Sequence, residues 1–404
     1  MLETTAKSPA VKSPAANAPA SAAPAVPFAL PAIGEEEIAA AVECMRSGWL
    51  TSGPRCRTFE REFAAFLGGG VEAISLASGT AALEIALAAL GVGPGDEVIT
   101  TDYTFSATAM CVVHVGAKPV LVDIDPDTFN IDCGRIEAAI TRRTKALIPV
   151  HYGGLACDMA AITDIARRHG LRVIEDAAHA FPATAAGVMI GKATSDATAF
   201  SFYATKTITT GEGGMLTFAD PAAAKRARTL RLHGIDRDVF SRYQGSKALW
   251  RYEIVAPGLK ANLTDLAAAI GIVQLRRAWE LQKRRSELWR RYDTAFARLP
   301  LRLPPRAPAG ETHACHLYAI RLLPNAPLAR DDFIDRMAAA GINCSVHFIP
   351  LHLHAYWRES LGVAEDRFPQ AQRAFESVVS LPLFPSMTQA MQDHVVAVTT
   401  KLLS

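Results

Sequence analysis

The chain has 404 residues, half of them hydrophobic and 20% charged, a composition typical of a globular protein with two or three domains. Its net charge of +2 gives no reason to expect nucleic acid or an acidic membrane surface as a partner. The seven cysteines are scattered and form no CxxC pair, which argues against a disulfide framework and a structural zinc site. We therefore expect a reducing compartment and no bound metal.

Residues 1–27 are rich in Ala and Pro and contain Lys-Ser-Pro-Ala twice. Because proline interrupts helices and no long apolar run is present, neither a signal peptide nor a membrane span fits, and the composition predicts a disordered tail. The apolar stretch that follows Thr80 is interrupted by Glu84 and by the glycines of residues 91–95, which predicts a buried helix. We expect a cytoplasmic protein without a membrane partner.

Between residues 71 and 220, short apolar runs alternate with stretches of helical periodicity. Most of the runs are continuous, as in strands that are covered on both faces. The alternation predicts an α/β domain with a mostly parallel sheet, whose ligand binds beyond the carboxyl ends of the strands. We predict a helix over residues 159–169, ended by Gly170, and strands at residues 73–76, 97–100, 119–122, 146–150, 171–174 and 199–202.

After Asn262 the pattern changes. A long helical stretch covers residues 264–299, and it is followed by a mixture of predicted strands (near 316–322 and 344–348) and helices (near 330–340 and 388–403). This mixture predicts a smaller α+β domain. The chain is therefore divided into a tail (residues 1–27), a large domain (28–262) and a small C-terminal domain (263–404).

Two residues carry the predicted chemistry. Asp176 follows a strand in Ile-Glu-Asp-Ala-Ala-His at residues 174–179, and Lys206 ends Ser-Phe-Tyr-Ala-Thr-Lys at residues 201–206. The acid can hold the pyridine nitrogen of pyridoxal 5'-phosphate (PLP) protonated through a hydrogen bond worth ~1.5–3 kcal/mol, and the lysine can form the Schiff base that holds this cofactor. The pair predicts a PLP site, although each residue alone also suits a structural role, as a turn cap or a solvated strand-end charge.

The neighbours of this pair favour the same prediction. Ser78, Gly79 and Thr80 precede a predicted helix, whose N-terminus offers free N–H groups to a phosphate. Ser201 adds a hydroxyl group that can reach a phosphate, and Phe105 follows another strand end, where its ring can stack on the cofactor. The alternatives are an ordinary helix cap at Ser78 and an ordinary core position for Phe105.

Six motifs occur in one order along the chain: Gly-Thr at residues 79–80, Gly-Pro-Gly-Asp-Glu-Val-Ile at 93–99, Glu-Asp-Ala-Ala-His at 175–179, Ser-Phe-Tyr-Ala-Thr-Lys at 201–206, Gly-Glu-Gly-Gly at 211–214 and Leu-Arg-Leu-His-Gly at 230–234. In this order they resemble the DegT/StrS family of sugar-nucleotide aminotransferases, and the similarity begins at Pro31. The resemblance implies an α/β fold, that of the fold type I PLP-transferases, with a mostly parallel, seven-stranded-type central sheet in the large domain and a smaller α+β C-terminal domain.

The resemblance also implies roles for single residues. Lys206 and Asp176 match the Schiff-base lysine and the partner of the pyridine nitrogen. Asn262 matches a phosphate contact from the neighbouring subunit, which implies a homodimer with two shared active sites. The other implied cofactor contacts are Gly79, Thr80 and Ser201 at the phosphate, Phe105 against the ring and His179 beside the ring hydroxyl. The implied substrate contacts are Trp49, Thr51, His316, His347 and a segment between Gly234 and Pro257 that contains Arg242, Tyr243 and Trp250.

The implied activity is the transfer of an amino group, from glutamate in most of the family, to a nucleotide-linked keto sugar, with pyridoxamine 5'-phosphate (PMP) as the intermediate cofactor form. The motif at residues 230–234 and the long segment between Gly234 and Pro257 resemble members that act at a 4-keto position. Lys206 stands where dehydrating relatives carry histidine, which favours amine transfer. Pro182 and Gln372 depart from the family pattern. Two alternatives stay open: another fold type I reaction, such as that of an aldolase or a desulfurase, and a PLP-binding regulatory protein without turnover.

Overall fold

The computed structural model describes residues 24–192, 194–236, 251–362 and 365–404. Its central sheet has seven strands, as predicted. In spatial order they are β1 (Glu72–Leu76), β9 (Gly214–Phe218), β8 (Ala197–Ser201), β5 (Arg172–Asp176), β4 (Thr144–Ile148), β2 (Glu97–Thr101) and β3 (Lys118–Val122). Of these strands, β9 alone runs antiparallel to its neighbours, so the prediction of a mostly parallel α/β sheet is confirmed.

Helices cover both faces of this sheet, which explains why its strands are continuous apolar runs. Helix α6 begins and ends where the sequence predicts, because Asp158 caps its first turn and Gly170 adopts the left-handed conformation (φ 65°) that ends it. The helices of this region are α1 (Glu35–Arg46), α2 (Pro54–Phe66), α3 (Gly79–Ala89), α4 (Ala107–His114), α5 (Cys133–Ala139), α6 (Met159–His169) and α7 (Pro221–Leu230). A short two-stranded ribbon pairs β6 (Thr184–Ala185) with β7 (Val188–Met189).

The C-terminal region is a mixture of helices and an antiparallel sheet, as predicted. Its three strands are β10 (Leu301–Arg302), β11 (Tyr318–Leu322) and β12 (Val378–Leu381). Its helices are α8 (Asp265–Arg276), α9 (Ala278–Phe296), α10 (Arg330–Ala339), α11 (Ala355–Leu361), α12 (Pro369–Ser377) and α13 (Gln389–Leu403). In the described ranges no helix combines the length and the apolar composition that crossing a bilayer requires.

Two local predictions were wrong, and one strand was missed. The helical stretch over residues 264–299 is two helices, because Arg277 ends α8 and starts α9. Residues 344–348 form no strand, since only Ser345 makes an isolated bridge, to Ser380. Strand β9 was not predicted, because the glycines of residues 211–214 indicated a loop, and yet Gly214 pairs with Leu76 in the sheet.

Two strand-end acids connect the sheet to the C-terminal region. The Asp102 carboxylate, which follows β2, accepts a hydrogen bond from the backbone N–H of His352 (3.0 Å) and contacts its Nδ1 (2.6 Å). The Asp123 carboxylate, which follows β3, accepts the N–H groups of Gln370 and Ala371 (both 2.9 Å) at the start of α12. Both carboxylates are buried, so they fix the segments of residues 350–353 and 369–371 against the sheet.

The division into a tail, a large domain and a small domain stays a prediction. Residues 1–23 of the predicted tail lie outside the described residues. Residues 24–27 are described, and among them Val26 is only 1% exposed and packs with the core of the C-terminal region.

Candidate active site

The carboxyl ends of β1, β5 and β8 border a cleft of about 400 Å³. Among the described residues that line it, Lys206 is the only lysine or arginine. Nine of the predicted site residues belong to this lining: Gly79, Thr80, Phe105, Asp176, His179, Ser201, Lys206, His316 and His347. Three predicted site residues do not line it, namely Trp49, Thr51 and Asn262.

Asp176 lies on the floor of the cleft and is 6% exposed. Its carboxylate accepts hydrogen bonds from Thr108 Oγ1 (2.8 Å) and from the backbone N–H of Ala178 (3.1 Å). Burial raises the pKa of Asp176, whereas these two hydrogen bonds and the positive charge of Lys206 oppose the rise. The carboxylate is therefore oriented in an apolar environment, where a cationic partner would bind it strongly.

Lys206 enters the same cleft from the turn that follows β8, where its backbone N–H donates to the carbonyl of Tyr203 (2.9 Å). Burial lowers the pKa of Lys206 to about 8, and the negative charge of Asp176 limits the decrease. A lysine with this pKa has an appreciable neutral fraction near neutral pH, so it can act as a nucleophile and as a proton carrier.

Three histidines form the wall beside these two residues. The ring of His179 lies 4.4 Å from the ring of His316 and 6.4 Å from the ring of His347, measured between centroids. Burial lowers the pKa of all three, that of His347 to about 4, so their rings are neutral at neutral pH. His179 Nδ1 accepts the N–H of Gly153 (3.3 Å), which leaves the proton on Nε2 and makes that atom a hydrogen-bond donor.

The N-terminus of α3 also borders the cleft. Ser78 caps this helix, because its hydroxyl accepts the N–H of Ala81 (3.1 Å), so the ordinary capping role is present. The N–H groups of Gly79 and Thr80, in the first turn, have no partner within the helix and are available to an anion. Gly79 lets Ser201 approach closely, since a Cβ atom at residue 79 would lie 2.9 Å from the Ser201 Cβ. Gly79, Thr80 and Ser201 thus form a cradle of suitable size and polarity for a phosphate.

Phe105 is 64% exposed although it lines the cleft. A phenylalanine so exposed does not belong to the core, so the alternative of an ordinary core position is wrong for this residue. Its ring lies 6.4 Å from that of Phe348, between centroids, and offers an apolar surface on which a planar ring could stack.

The three remaining predicted contacts lie around Ser52. The Asn262 amide donates to Ser52 Oγ (2.6 Å), and Trp49 Nε1 donates to the Ser52 carbonyl (3.2 Å). Thr51 is exposed beside them. None of these three residues lines the cleft of its own chain.

Some residues that the sequence analysis singled out do not line the cleft. Arg231, in the motif at residues 230–234, binds the Glu60 carboxylate and the Ser75 carbonyl (3.0 Å), so it holds α7 to β1. Gln372 lies on α12 and donates to Glu376 (2.7 Å), and Pro182 is buried outside the cleft lining. Arg242, Tyr243 and Trp250 lie outside the described residues.

Sequence reasoning missed Thr108, Phe348 and Phe28, which also line the cleft. Thr108 follows Phe105 by three residues and supports Asp176, but nothing in its own pattern indicates a carboxylate partner. Phe348 lies in the segment that was predicted as a strand. Phe28 precedes the first recognised motif, so no pattern connected it to the site.

The model of the DegT/DnrJ/EryC1/StrS aminotransferase family matches residues 31–400. The spore coat polysaccharide biosynthesis protein SpsC of Bacillus subtilis is 48% identical over 92% of this chain and 95% of its own length. The solved structure of the "Putative sugar aminotransferase Spr1654" of Streptococcus pneumoniae in its PMP form is 35% identical, with a TM-score of 0.87 over 94% of this chain and 100% of the other. PseC of Helicobacter pylori, an aminotransferase involved in the biosynthesis of pseudoaminic acid, is 26% identical, with a TM-score of 0.85 over 94% of this chain and 99% of its own.

The chain therefore belongs to the DegT/DnrJ/EryC1/StrS aminotransferase family. It is a PLP-dependent sugar aminotransferase with the fold of the fold type I PLP enzymes, and Spr1654 has been solved in both the PLP and the PMP form. Family membership favours transamination over the aldolase and desulfurase alternatives. None of the seven cysteines, all of which are described, lines the cleft, so a cysteine nucleophile is absent from it.

The residues of the cleft fit PLP. The cradle of Gly79, Thr80 and Ser201 suits its phosphate, and the buried carboxylate of Asp176 suits a protonated ring nitrogen. Lys206 offers an amine that would hold the cofactor, and the exposed ring of Phe105 would leave room for a flat partner.

The lowered pKa of Lys206 predicts how the protein without cofactor captures PLP. Only the neutral amine attacks the aldehyde, so the capture rate should rise with pH up to about 8 and then level off. Stopped-flow absorbance over a pH series measures this rate, with N-acetyl-lysine as the control amine of ordinary pKa. A rate that follows the control and keeps rising well above pH 8 would contradict the assignment.

Proposed function

We propose that this protein transfers an amino group from glutamate to a nucleotide-linked keto sugar, at the 4-keto position. The observation that carries this proposal is the convergence of Asp176, His179 and Lys206 at one cleft, next to a cradle for a phosphate. The lining also includes the neutral rings of His316 and His347 and the aromatic ring of Phe348, which suit the uncharged sugar ring of such a substrate.

Each cleft residue has a defined task in this proposal. When bound, PLP supplies an electron sink that makes the proton on the carbon beside the amine removable. Asp176 keeps the ring nitrogen protonated, His179 Nε2 donates to the ring hydroxyl, and Phe105 holds the ring by stacking. Lys206 Nζ removes and returns the proton at the carbon that loses or gains the amine, a contribution of ~10²–10⁴-fold by general acid–base catalysis.

The support for the substrate comes from the relatives. SpsC is named for spore coat polysaccharide biosynthesis, Spr1654 for sugar amination, and PseC for the biosynthesis of pseudoaminic acid. The 4-keto position rests on the resemblance alone. Arg231, from the motif at residues 230–234, packs against β1 and does not line the cleft, so it offers no contact to the substrate of its own chain. Glutamate is the family's usual donor.

A screen of UDP-, dTDP- and GDP-linked 3-keto and 4-keto sugars with glutamate tests the substrate directly. At least one should yield a 4-amino sugar, and Lys206→Ala should reduce that rate by ~10²–10⁴-fold while the protein still accepts PMP. Lys118→Ala is the matched control, because Lys118 is exposed at the start of β3, away from the cleft.

Amination only of 3-keto sugars would contradict the proposed position, and retained activity of Lys206→Ala would remove this residue from the mechanism. If the protein binds PLP but glutamate does not convert it to the PMP form, the regulatory alternative is favoured instead.

We further propose that two copies form a dimer with shared sites. Asn262, Trp49 and Thr51 do not line their own cleft, and nearby residues leave apolar surface open to a second copy. These exposed residues are Ile38 (48%), Met45 (51%) and Leu50 (49%). A two-fold axis would bring the same surface of each copy to the cleft of the other, so Asn262 of one subunit would contact the cofactor phosphate of its partner.

Mixing two inactive variants tests the shared site. Lys206→Ala and Asn262→Ala homodimers should each lose most of their activity, and Asn262→Ala should bind PLP at least about tenfold more weakly through the lost phosphate contact. A mixed dimer would contain one site with both native residues, so mixing after mild dissociation should restore activity. Mixtures without restored activity, or a fully active Asn262→Ala homodimer, would refute the shared site.

A further inference from the structure

The segment before the first family motif contributes to the cleft. We call residues 24–31 the N-terminal arm. Val26 donates its backbone N–H to the Gly341 carbonyl (2.8 Å) and accepts the N–H of Asn343 (2.9 Å). Its side chain is 1% exposed in a core cluster that includes Phe333. The arm is therefore anchored to the C-terminal region at Val26, close in sequence to Phe28.

Phe28 is held in place where it lines the cleft. Its ring stacks on His347, with 5.5 Å between centroids and 27° between planes. His347 is itself fixed, because its Nδ1 hydrogen-bonds Ser380 Oγ (2.9 Å) and its carbonyl accepts from the Tyr152 hydroxyl (2.7 Å). The ring of Phe28 therefore has a defined position in the wall of the cleft.

Phe28 is not one of the predicted cofactor contacts, but its neighbour His347 is one of the predicted substrate contacts. The ring centroids of His179 and His347 are 6.4 Å apart. The ring centroid of Phe28 lies 5.5 Å from that of His347. His179 is the residue proposed to meet the ring hydroxyl of PLP. Phe28 thus lines the cleft and is connected to His179 through the ring of His347, outside the set of predicted cofactor contacts.

We infer that Phe28 binds the C–H face of the acceptor sugar and is a specificity-determining residue for it. The inference rests on the proposed function and extends it. A sugar ring presents a face of C–H groups whose slight positive charge suits the negative face of an aromatic ring, and contact between them removes apolar surface from water. The hydroxyl groups of the sugar point outwards from this face, towards polar partners.

The other candidate ligands fit Phe28 less well. Glutamate is acyclic and carries two carboxylates, so a phenyl ring offers it no favourable partner. The base of a nucleotide sugar is separated from the reacting carbon by the sugar ring and the diphosphate, so it would lie much further from His179 than Phe28 does. Phe28 should therefore affect the sugar half of the reaction and not the glutamate half.

Separate measurement of the two half-reactions tests this inference. In Phe28→Ala, the rate at which glutamate converts the PLP form should stay within about twofold of the wild type, whereas the apparent affinity for the keto sugar should fall by about tenfold to a hundredfold. Calorimetry supplies a readout without turnover: the sugar should bind Lys206→Ala protein loaded with PMP, and Phe28→Ala in that background should weaken binding by the same factor.

Three further variants distinguish a direct contact between Phe28 and the sugar from a role of Phe28 in packing. Phe28→Tyr keeps a flat ring and should restore sugar affinity, whereas Phe28→Leu keeps an apolar side chain without the ring and should not. Leu30→Ala is the matched control, since Leu30 is an apolar residue of the same arm that is 43% exposed and does not line the cleft. It should behave as the wild type in both half-reactions.

Three outcomes would overturn the inference. They are an equal loss in both half-reactions of Phe28→Ala, an unchanged sugar affinity in that variant, and a loss in Leu30→Ala as large as that in Phe28→Ala. In each of these cases the wild type aminates the sugar, so the proposed function stands. A wild type that aminates no keto sugar would overturn the proposed function and this inference with it.

Discussion

The site depends on one constraint, the burial of an acid and an amine at the same edge of a parallel sheet. Asp176 ends β5 and Lys206 follows β8, its neighbour in the sheet, so the topology brings both to one cleft. Burial raises the pKa of the acid and lowers that of the amine to about 8, while their opposite charges limit both shifts. Lys206 therefore stays close to a change of charge, which suits an amine that must carry protons, while the hydrogen bonds and the positive charge of Lys206 favour the anionic form of Asp176.

The surroundings of this pair keep it oriented. Thr108 and the N–H of Ala178 fix the Asp176 carboxylate from the side of the sheet. On the other side, Asp102 binds the backbone of His352, five residues after His347, and Asp123 binds the start of α12, so the chain that follows His347 is attached to the ends of the same sheet. A substrate would therefore meet a wall whose position is defined before binding, which lowers the entropic cost of orienting it.

Much of the fold and most of the cofactor site could be predicted from the sequence. Continuous apolar runs revealed six of the seven strands, because strands buried on both faces need no alternation. The motifs around Asp176 and Lys206 are local in sequence, and parallel strands bring their ends together, so their convergence followed from the topology. The role of each residue at the cofactor stays a proposal.

The features that could not be predicted depend on distant contacts. Arg277 divides one predicted helix into two, and its guanidinium binds Glu37 (2.7 Å), a residue 240 positions away. Gly214 pairs in the sheet between Leu76 and Ser201, and a Cβ at this position would collide with the Ser78 carbonyl, so the glycine is required by a contact that its own glycine-rich pattern does not show. Phe28 reaches the cleft only because Val26 pairs with the far end of the chain.

The most direct test of the central claim is to reduce the PLP-loaded protein with borohydride and to map the modified peptide by mass spectrometry. The account predicts that a single pyridoxyl group is attached to Lys206 and that visible absorbance is lost with the reduction. A group attached to any other lysine, or a protein that aminates sugars and yet gains no group on reduction, would contradict the assignment of this cleft as the active site.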